Sequence, residues 1–136
     1  MYEFGSDKWL DAFKEAINSS QNYADAARNW EGDFYFIVDP SGTIDEEIVM
    51  YVDLWHGKCR ATERVADRSA KEPEFVINAP ESVWRQVIEK QLDPIQGLMT
   101  RQLKLKGNMV KIMKAVRAAK ELVECTTEVP TQFHNE

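Results

Sequence analysis

The sequence predicts an α+β domain in which helices are layered on one face of a five-stranded, mixed but mostly antiparallel sheet. Apolar residues recur at helical spacing before residue 31, follow strand patterns between residues 34 and 62, and alternate again at 75–78 and 102–106. The element order is two helices, three strands, a crossover, a strand, two helices, a strand and a long helix, which suits this architecture. The length, 136 residues, is that of one domain, so we expect residues 1–136 to form a single domain.

Two amphipathic helices are predicted at the start of the chain. Ser6 or Asp7 caps the first helix. Ser19 or Ser20 begins the second, which ends at the Glu-Gly-Asp segment 31–33. The apolar stripes of these helices are Trp9, Leu10, Phe13, Ala16 and Ile17 in the first, and Tyr23, Ala26, Ala27 and Trp30 in the second.

Three strands follow the helices. Residues 34–38 are all apolar, which suits a central strand with a partner on each edge. A Pro-Ser-Gly turn at 40–42 leads to a strand at 50–55, and the His-Gly pair at 56–57 forms a tight loop before the next strand. Alternation places Met50, Val52, Leu54, Cys59 and Ala61 on one face, and Tyr51, Asp53, Lys58, Arg60 and Thr62 on the other.

The second half of the chain returns to helical patterns around two short strands. Residues 66–73 are polar and predict a crossover, after which Phe75 and Ile77 alternate with polar neighbours in a fourth strand. Pro80 starts a helix, and the Asp-Pro pair at 93–94 starts another short one.

The fifth strand is predicted at 102–106, where Leu103 and Leu105 point inward. Gly107 permits a sharp bend, and Asn108 caps one long final helix. The stripe of that helix is Met109, Ile112, Met113, Val116, Ala119, Leu122 and Val123. Residues 126–136 are expected to form a flexible tail.

Composition and charge exclude several classes of function. The net charge of −6 would repel a nucleic acid, and no basic-aromatic platform for stacked bases is present. The longest apolar run has five residues and no signal pattern begins the chain, so we expect a soluble, cytoplasmic protein. Cys59 and Cys125 are 66 residues apart without CxxC spacing, which indicates two reduced thiols.

Positive charge is concentrated near the end of the chain. Residues 101–120 contain seven bases and no acid. Two of these bases share the outer face of the predicted strand, and three lie opposite the apolar stripe of the last helix. The candidates for contact with an anionic membrane or headgroup are therefore Lys104, Lys106, Lys111, Lys114 and Arg117. A solvated helix face is the alternative interpretation.

The sequence contains no catalytic or metal-binding motif. Asp53, His56 and Cys59 suggest a metal or nucleophilic cluster by their spacing, but residues on the two sides of a hairpin turn often point to different faces. The acidic residues 45–47 lack the alternating ligands and central glycine of a calcium loop. No G-x-S-x-G nucleophile motif occurs. We therefore expect no catalytic residue, no metal and no cofactor.

An ordered series of segments resembles the sterol carrier protein type-two domain family. The segments are DLWHGK at 53–58, EFVINAP at 74–80, LDPIQGLM at 92–99 and LKLKGNM at 103–109. The resemblance implies a five-stranded sheet and helices that enclose an apolar tunnel, which binds fatty acyl chains, sterols or other lipids without catalysis. Arg101 stands where the family usually has glycine, and a positive φ there would cost ~1 kcal/mol or more.

The tunnel that the resemblance implies would lie between the sheet and the last helices. Residues that point inward by alternation or by helical stripe are predicted to line it: Phe75, Ile77, Trp84, Leu98, Met99, Leu103, Leu105, Met109, Ile112, Met113 and Val116. The three methionines among them are flexible and could adapt to varied ligands.

The function expected from this resemblance is carriage of a fatty acid, an acyl chain, a sterol-like lipid or an isoprenoid lipid. One alternative is an accessory module that presents a quinone or polyisoprenoid precursor to partner enzymes. An enzyme acting on lipid or thioester substrates is a further, less favoured alternative.

Overall fold

The computed structural model describes residues 1–135 and contains seven strands and six α-helices in that range. The strands are β1 Tyr2–Glu3, β2 Glu31–Asp39, β3 Ile48–Trp55, β4 Lys58–Val65, β5 Phe75–Pro80, β6 Lys104–Lys106 and β7 Thr131–Gln132. The helices are α1 Asp7–Asn18, α2 Gln21–Ala26, α3 Glu81–Ile88, α4 Pro94–Met99, α5 Met109–Met113 and α6 Val116–Thr127. A single 3₁₀ turn spans Arg68–Ala70.

Five strands form the main sheet in the order β4-β3-β2-β5-β6. Only the β2–β5 pair is parallel, because the chain crosses over between β4 and β5. The other three pairs are antiparallel. β2 lies at the centre, and its apolar residues occupy both faces, as the pattern at 34–38 predicts. The predicted fold class is confirmed.

The predicted helix starts are also present in the structure. The side chain of Ser6 accepts a hydrogen bond from the Trp9 amide, and that of Ser20 accepts one from the Tyr23 amide. Asp93 caps α4 in the same way. Such caps satisfy amide groups that the first helical turn leaves without a partner.

The helices cover one face of the sheet, and the crossover covers part of the other. Tyr35 points away from the helices and is 1% exposed. Its hydroxyl oxygen accepts a hydrogen bond from the Lys71 amide at 2.7 Å, and the hydroxyl lies 3.0 Å from the Arg68 carbonyl oxygen. The crossover is therefore fastened over Tyr35, Ile37 and Val49 in a small second core.

A β-bulge changes the predicted faces of β4. Cys59 pairs with Leu54 as expected, but Ala61 pairs with Asp53, so Arg60 is an extra residue. The prediction for Ala61 and Thr62 is therefore wrong. Thr62 faces the helices, where its hydroxyl lies 3.3 Å from the Leu10 carbonyl oxygen.

The predicted long final helix is two helices. α5 ends at Met113, and Ala115 has a non-helical backbone with φ −118° and ψ 34°. α6 then begins at Val116. Apolar periodicity continues through the break, because both helices pack on the same core, and so it does not report the break.

The expected flexible tail is folded as far as residue 135, so the prediction is wrong there, and residue 136 lies outside the described residues. α6 extends through Thr127, and β7 pairs in parallel with β1. Val129 and Phe133 are buried, and the Phe133 ring lies 5.4 Å from that of Phe4. Because residues 126–136 are mostly polar, the sequence pattern did not indicate that Val129 and Phe133 are buried.

Glu81, at the start of α3, fastens the last described residues. Its carboxylate is 2% exposed and accepts hydrogen bonds from the amides of His134 at 2.9 Å and Asn135 at 2.8 Å. The Nδ1 atom of His134 lies 2.7 Å from the same carboxylate. Burial by itself raises the pKa of Glu81, but these hydrogen bonds outweigh burial and lower the pKa.

We expect this contact to weaken in acid. A carboxyl whose pKa is lower in the folded than in the unfolded chain stabilises the fold above its unfolded value of ~4.3, and the contribution disappears as pH falls through the folded pKa. The melting temperature should therefore fall as pH decreases below about 4, and fall less in Glu81→Gln. Glu46→Gln, at an exposed position, is the control and should follow the unmodified chain.

Arg101 has the positive φ that the resemblance suggests. Its φ is 63°, and it directly follows Thr100, the C-cap of α4. This is the position after a helix end where glycine is common, because a side chain there is strained.

Replacing Arg101 by Gly should stabilise the fold by about 0.5–1 kcal/mol, because the relief of strain exceeds the added flexibility of the unfolded chain. Chemical denaturation would measure the change. Gln102→Gly, one residue later and without positive φ, should instead destabilise the fold. Equal effects of the two substitutions would contradict the role of φ.

Candidate functional site

An apolar cavity of about 140 Å³ lies between the inner face of the main sheet and the helices. The sheet contributes Phe34, Phe36, Met50, Val52, Leu54 and Ile77. The first two helices and the segments next to them contribute Phe4, Trp9, Leu10, Phe13, Tyr23 and Trp30. The rest of the wall is Trp84, Val87, Ile88, Pro94, Ile95, Leu98, Leu103, Ile112, Ala115, Ala118, Ala119, Leu122, Val123 and Thr126.

The indole N–H groups of this wall are bonded to the protein. The indole N–H groups of Trp30 and Trp84 donate to the carbonyl oxygens of Gly32 at 3.1 Å and Ile37 at 2.9 Å. Trp9 donates to the Thr131 hydroxyl at 2.8 Å.

The remaining polar side chains of the wall are the hydroxyl-bearing residues Tyr23 and Thr126. The Thr126 hydroxyl donates to the Val123 carbonyl oxygen. Burial raises the pKa of Tyr23, so its phenol is neutral at physiological pH. The wall therefore offers apolar surface and aromatic rings, which attract a ligand through the hydrophobic effect.

Five of the eleven predicted lining residues lie on this wall, namely Ile77, Trp84, Leu98, Leu103 and Ile112. Each comes from a different element or connection of the second half of the chain. Alternation in β5 and in the strand predicted at 102–106, and helical spacing in α3, α4 and α5, identified them. That these residues bind a ligand stays a prediction.

The other six predicted residues lie outside the wall. Met99 and Met113 are 62% and 37% exposed, so the predicted methionine cluster does not form inside the protein. Leu105, Met109 and Val116 are partly buried against the core without reaching the cavity.

Phe75, the sixth, is fully buried but lies behind the cavity wall. Its ring packs against Trp30 and Phe34, with centroids 5.6 and 5.1 Å away, and these two residues line the cavity. The inward direction of Phe75 was correct. Its distance from the cavity depends on the aromatic rings stacked in front of it, which a strand pattern does not report.

The sequence prediction omitted the aromatic half of the wall. Trp9, Phe13 and Tyr23 belong to the apolar stripes of the first two helices, and those stripes were identified. The omission arose because the cavity was expected beside the last helices alone. A cavity under all the helices was available from the same pattern, since every helix of one layer faces the same sheet.

The candidate basic residues divide into three groups. Leu105 pairs with Ile77 and shares its face, so Lys104 and Lys106 lie on the opposite face of the sheet and are exposed. Lys114 and Arg117 are exposed on the helical side, without an ion-pair partner among residues 1–135.

Lys111 differs from the other candidate bases because it has partners. Its Nζ atom lies 2.8 Å from a carboxylate oxygen of Glu74 and donates to the carbonyl oxygen of Glu31 at 2.6 Å. It also lies 5.0 Å from the centre of the Trp30 ring. Lys111 therefore makes contacts within the protein that the sequence did not predict.

The structure separates the residues of the suggested catalytic cluster. His56 pairs with Glu31 at 2.5 Å, and Asp53 pairs with Arg60. Cys59 lies on the other face of the hairpin, and burial raises its pKa to about 11, so the thiol is protonated.

Residues 1–135 contain no group of three or more His, Cys, Asp or Glu side chains placed to hold a metal ion. Within the same range, no helix has the length and apolar character needed to cross a membrane. Cys59 and Cys125 are both buried and unpaired as thiols.

Comparison with known proteins yields a family match and several structural relatives. Residues 10–120 match the model of the SCP-2 sterol transfer family. None of the curated proteins compared with the chain matches it.

Two solved structures share 32% sequence identity with the chain. The crystal structure of a sterol carrier protein 2 has a TM-score of 0.84 and covers 93% of this chain and 99% of its own. The solution structure of a possible sterol carrier protein from Thermus thermophilus has a TM-score of 0.86 and covers 95% and 91%. A ubiquinone synthesis protein, UbiJ-SCP2, shares the fold at 13% identity, with a TM-score of 0.54 over 83% of this chain and 86% of its own.

Proposed function

Because the chain belongs to the SCP-2 sterol transfer family, we propose that it binds and carries a lipid in the cavity under its helices without transforming it. The observation that carries the proposal is the apolar cavity itself, whose three indole N–H groups and Thr126 hydroxyl are already bonded within the protein. Such a wall selects a ligand by its apolar area. Fatty acids, acyl chains, sterol-like lipids and isoprenoid lipids share that property. The two free thiols are compatible with a cytoplasmic location.

The strength of binding can be bounded from the hydrophobic effect. A chain of ~16 methylenes would gain ~13 kcal/mol if each buried methylene contributes ~0.8 kcal/mol. Lost translational and conformational freedom offsets much of that gain, which leaves binding near the micromolar range.

The proposal is tested by identifying the lipid that co-purifies with the protein. Mass spectrometry of an organic extract from freshly purified protein should show a lipid in stoichiometric amount. A fluorescent fatty acid should bind at micromolar concentration and be displaced by that lipid. An empty extract together with absence of probe binding would overturn the proposal.

A second role of the same cavity is presentation of a lipid-tailed intermediate to partner enzymes. The fold shared with the UbiJ-SCP2 ubiquinone synthesis protein favours keeping this alternative. A quinone or polyisoprenoid precursor in the extract, and co-purification of an enzyme that acts on it, would support presentation. A mixture of ordinary fatty acids would support carriage.

We also propose that exposed bases bring the loaded protein to anionic membranes. Lys104, Lys106, Lys114 and Arg117 are exposed, whereas Lys111 is engaged within the protein. Each base near a membrane surface contributes ~1 kcal/mol at most.

Ligand transfer to vesicles should therefore rise with the fraction of anionic lipid and fall as salt increases from about 0.05 to 0.5 M, because salt shortens the range of the attraction. Lys114→Gln combined with Arg117→Gln should lower the dependence on both. Transfer that is indifferent to lipid charge and to salt would show that the ligand exchanges through water.

A further inference from the structure

The cavity is smaller than the ligands proposed for it. Its volume of about 140 Å³ is close to the ~150 Å³ of cavities that accept benzene. Pockets for larger organic ligands measure ~300–1,000 Å³. A long acyl chain can therefore enter only if part of the wall moves outward.

α5 is the part of the wall with the fewest attachments. It is a helix of five residues, and Ile112 is its contribution to the cavity. Gly107 precedes it with a φ of 140°, and the non-helical residue Ala115 follows it. Residues at the ends of an element, such as these two, can act as hinges for a short helix.

The outer face of α5 is apolar and open to solvent. Val110 is 61% exposed and Met113 is 37% exposed, and they lie three residues apart on one side of the helix. Val110 therefore contributes little to holding α5 in place, and Met113 is only partly covered. The inner side is held by Ile112, by Met109, which packs on the core, and by the side chain of Lys111.

Lys111 joins α5 to two strands of the main sheet. Its Nζ atom contacts Glu74, just before β5, at 2.8 Å, and the carbonyl oxygen of Glu31, at the start of β2, at 2.6 Å. The ammonium group also lies over Trp30, a residue of the cavity wall, and 5.6 Å from the centre of the Phe75 ring.

α4 is a less suitable moving element, although it also lines the cavity. Asp93 caps its start with two hydrogen bonds, and the Leu103 amide donates to the Gly97 carbonyl oxygen at 3.0 Å at its end. A Cβ atom added at Gly97 would lie 3.0 Å from the Leu103 side chain, so the two are closely packed.

We infer that α5 is the gate of the cavity, that the ligand passes beneath it, and that Lys111 is the fastening which sets how often it opens. The inference rests on the proposed function for the identity of the ligand. The side chain of Lys111 is 35% exposed and that of Glu74 is 44% exposed, so water competes for the contact. Such a fastening holds the gate closed most of the time and still releases it spontaneously.

The test compares Lys111→Met with Lys8→Met. Methionine keeps an unbranched apolar side chain over Trp30 but has no ammonium group for Glu74 or Glu31. Lys8, on α1, is exposed and has no ion-pair partner in the described part of the chain, so its substitution removes the same charge without unfastening α5.

Stopped-flow mixing with anthroyloxy-labelled stearic acid should show that Lys111→Met binds and releases the probe about five to thirty times faster, with a nearly unchanged dissociation constant. Lys8→Met should match the unmodified protein. Glu74→Gln should also accelerate binding and release of the probe. Combining it with Lys111→Met should add little, because both substitutions remove the contact between Lys111 and Glu74. Equal rates in all variants would overturn the inference.

Hydrogen exchange separates failure of the gate from failure of the proposed function. Amides of residues 108–115 should exchange faster in Lys111→Met than in Lys8→Met, with no ligand present. If the unmodified protein does not bind the probe, the proposed function fails, and this exchange alone decides whether α5 is fastened by Lys111. Unchanged exchange at 108–115 would overturn the gate.

Discussion

Ala119→Phe is expected to lower lipid affinity at least about 100-fold while the protein stays folded. Ala119 lies on α6 and lines the cavity, so a phenyl ring at this position enters the space that the ligand requires. Excluding about four methylenes, at ~0.8 kcal/mol each, is sufficient for a loss of this size. Filling a cavity often stabilises a protein and crowding costs ~1–3 kcal/mol, so we expect a modest net change in stability.

Lys120→Phe is the matched control for this substitution. It places the same ring at the next position of α6, where the side chain is exposed. Titration with a fluorescent fatty acid should give the native affinity for Lys120→Phe and weak or no binding for Ala119→Phe. Equal affinity of both variants would place the ligand outside the cavity.

Phe75→Ala is expected to reduce the free energy of unfolding by about 3–5 kcal/mol, the largest stability effect that we predict. The side chain is fully buried and stacks on Trp30 and Phe34 behind the cavity wall. Its truncation leaves a void which these rings can fill only partly. Gly107 also packs on this ring, since a Cβ atom added there would lie 2.6 Å from Phe75.

Phe75→Leu is the comparison that isolates the lost volume. It retains much of the buried surface and should cost less than about 2 kcal/mol. Urea denaturation measures both changes. A loss below about 1 kcal/mol in Phe75→Ala would contradict the buried position, because no well-packed aromatic residue is removed so easily.

The fold could be predicted from local chemistry because its elements follow simple periodicities and well-marked ends. Ser6, Ser20, Asp93 and Asn108 cap helices where the sequence places them. The central position of β2 followed from apolar residues on both of its faces. Two errors occurred where one residue changes the geometry without changing the pattern, at Arg60 and near Ala115. The tail was predicted wrongly because its composition is mostly polar although Val129 and Phe133 are buried.

The candidate site was less predictable than the fold. Periodicity states which side of an element faces inward, and it was correct for Ile77, Leu98 and Phe75. It does not state which inward residues meet empty space, because a cavity is what remains after all side chains are packed. Val116 was misplaced because the stripe of a continuous helix was extended across the break between α5 and α6.

The sequence did not indicate that Glu81 holds His134 and Asn135 by hydrogen bonds. Glu81 and His134 are 53 residues apart, and neither belongs to a recognisable motif. A buried carboxylate becomes stable only when several donors converge on it, and that convergence depends on the tertiary fold.

The two buried thiols can be used to measure how often the protein opens locally. Cys59 lies on β4 and Cys125 on α6, and burial raises the pKa of both, so neither thiol reacts readily while covered. A thiol reagent modifies them only in molecules that have opened locally. Their separate modification rates therefore measure how often the sheet edge and the last helix become accessible, without an introduced label.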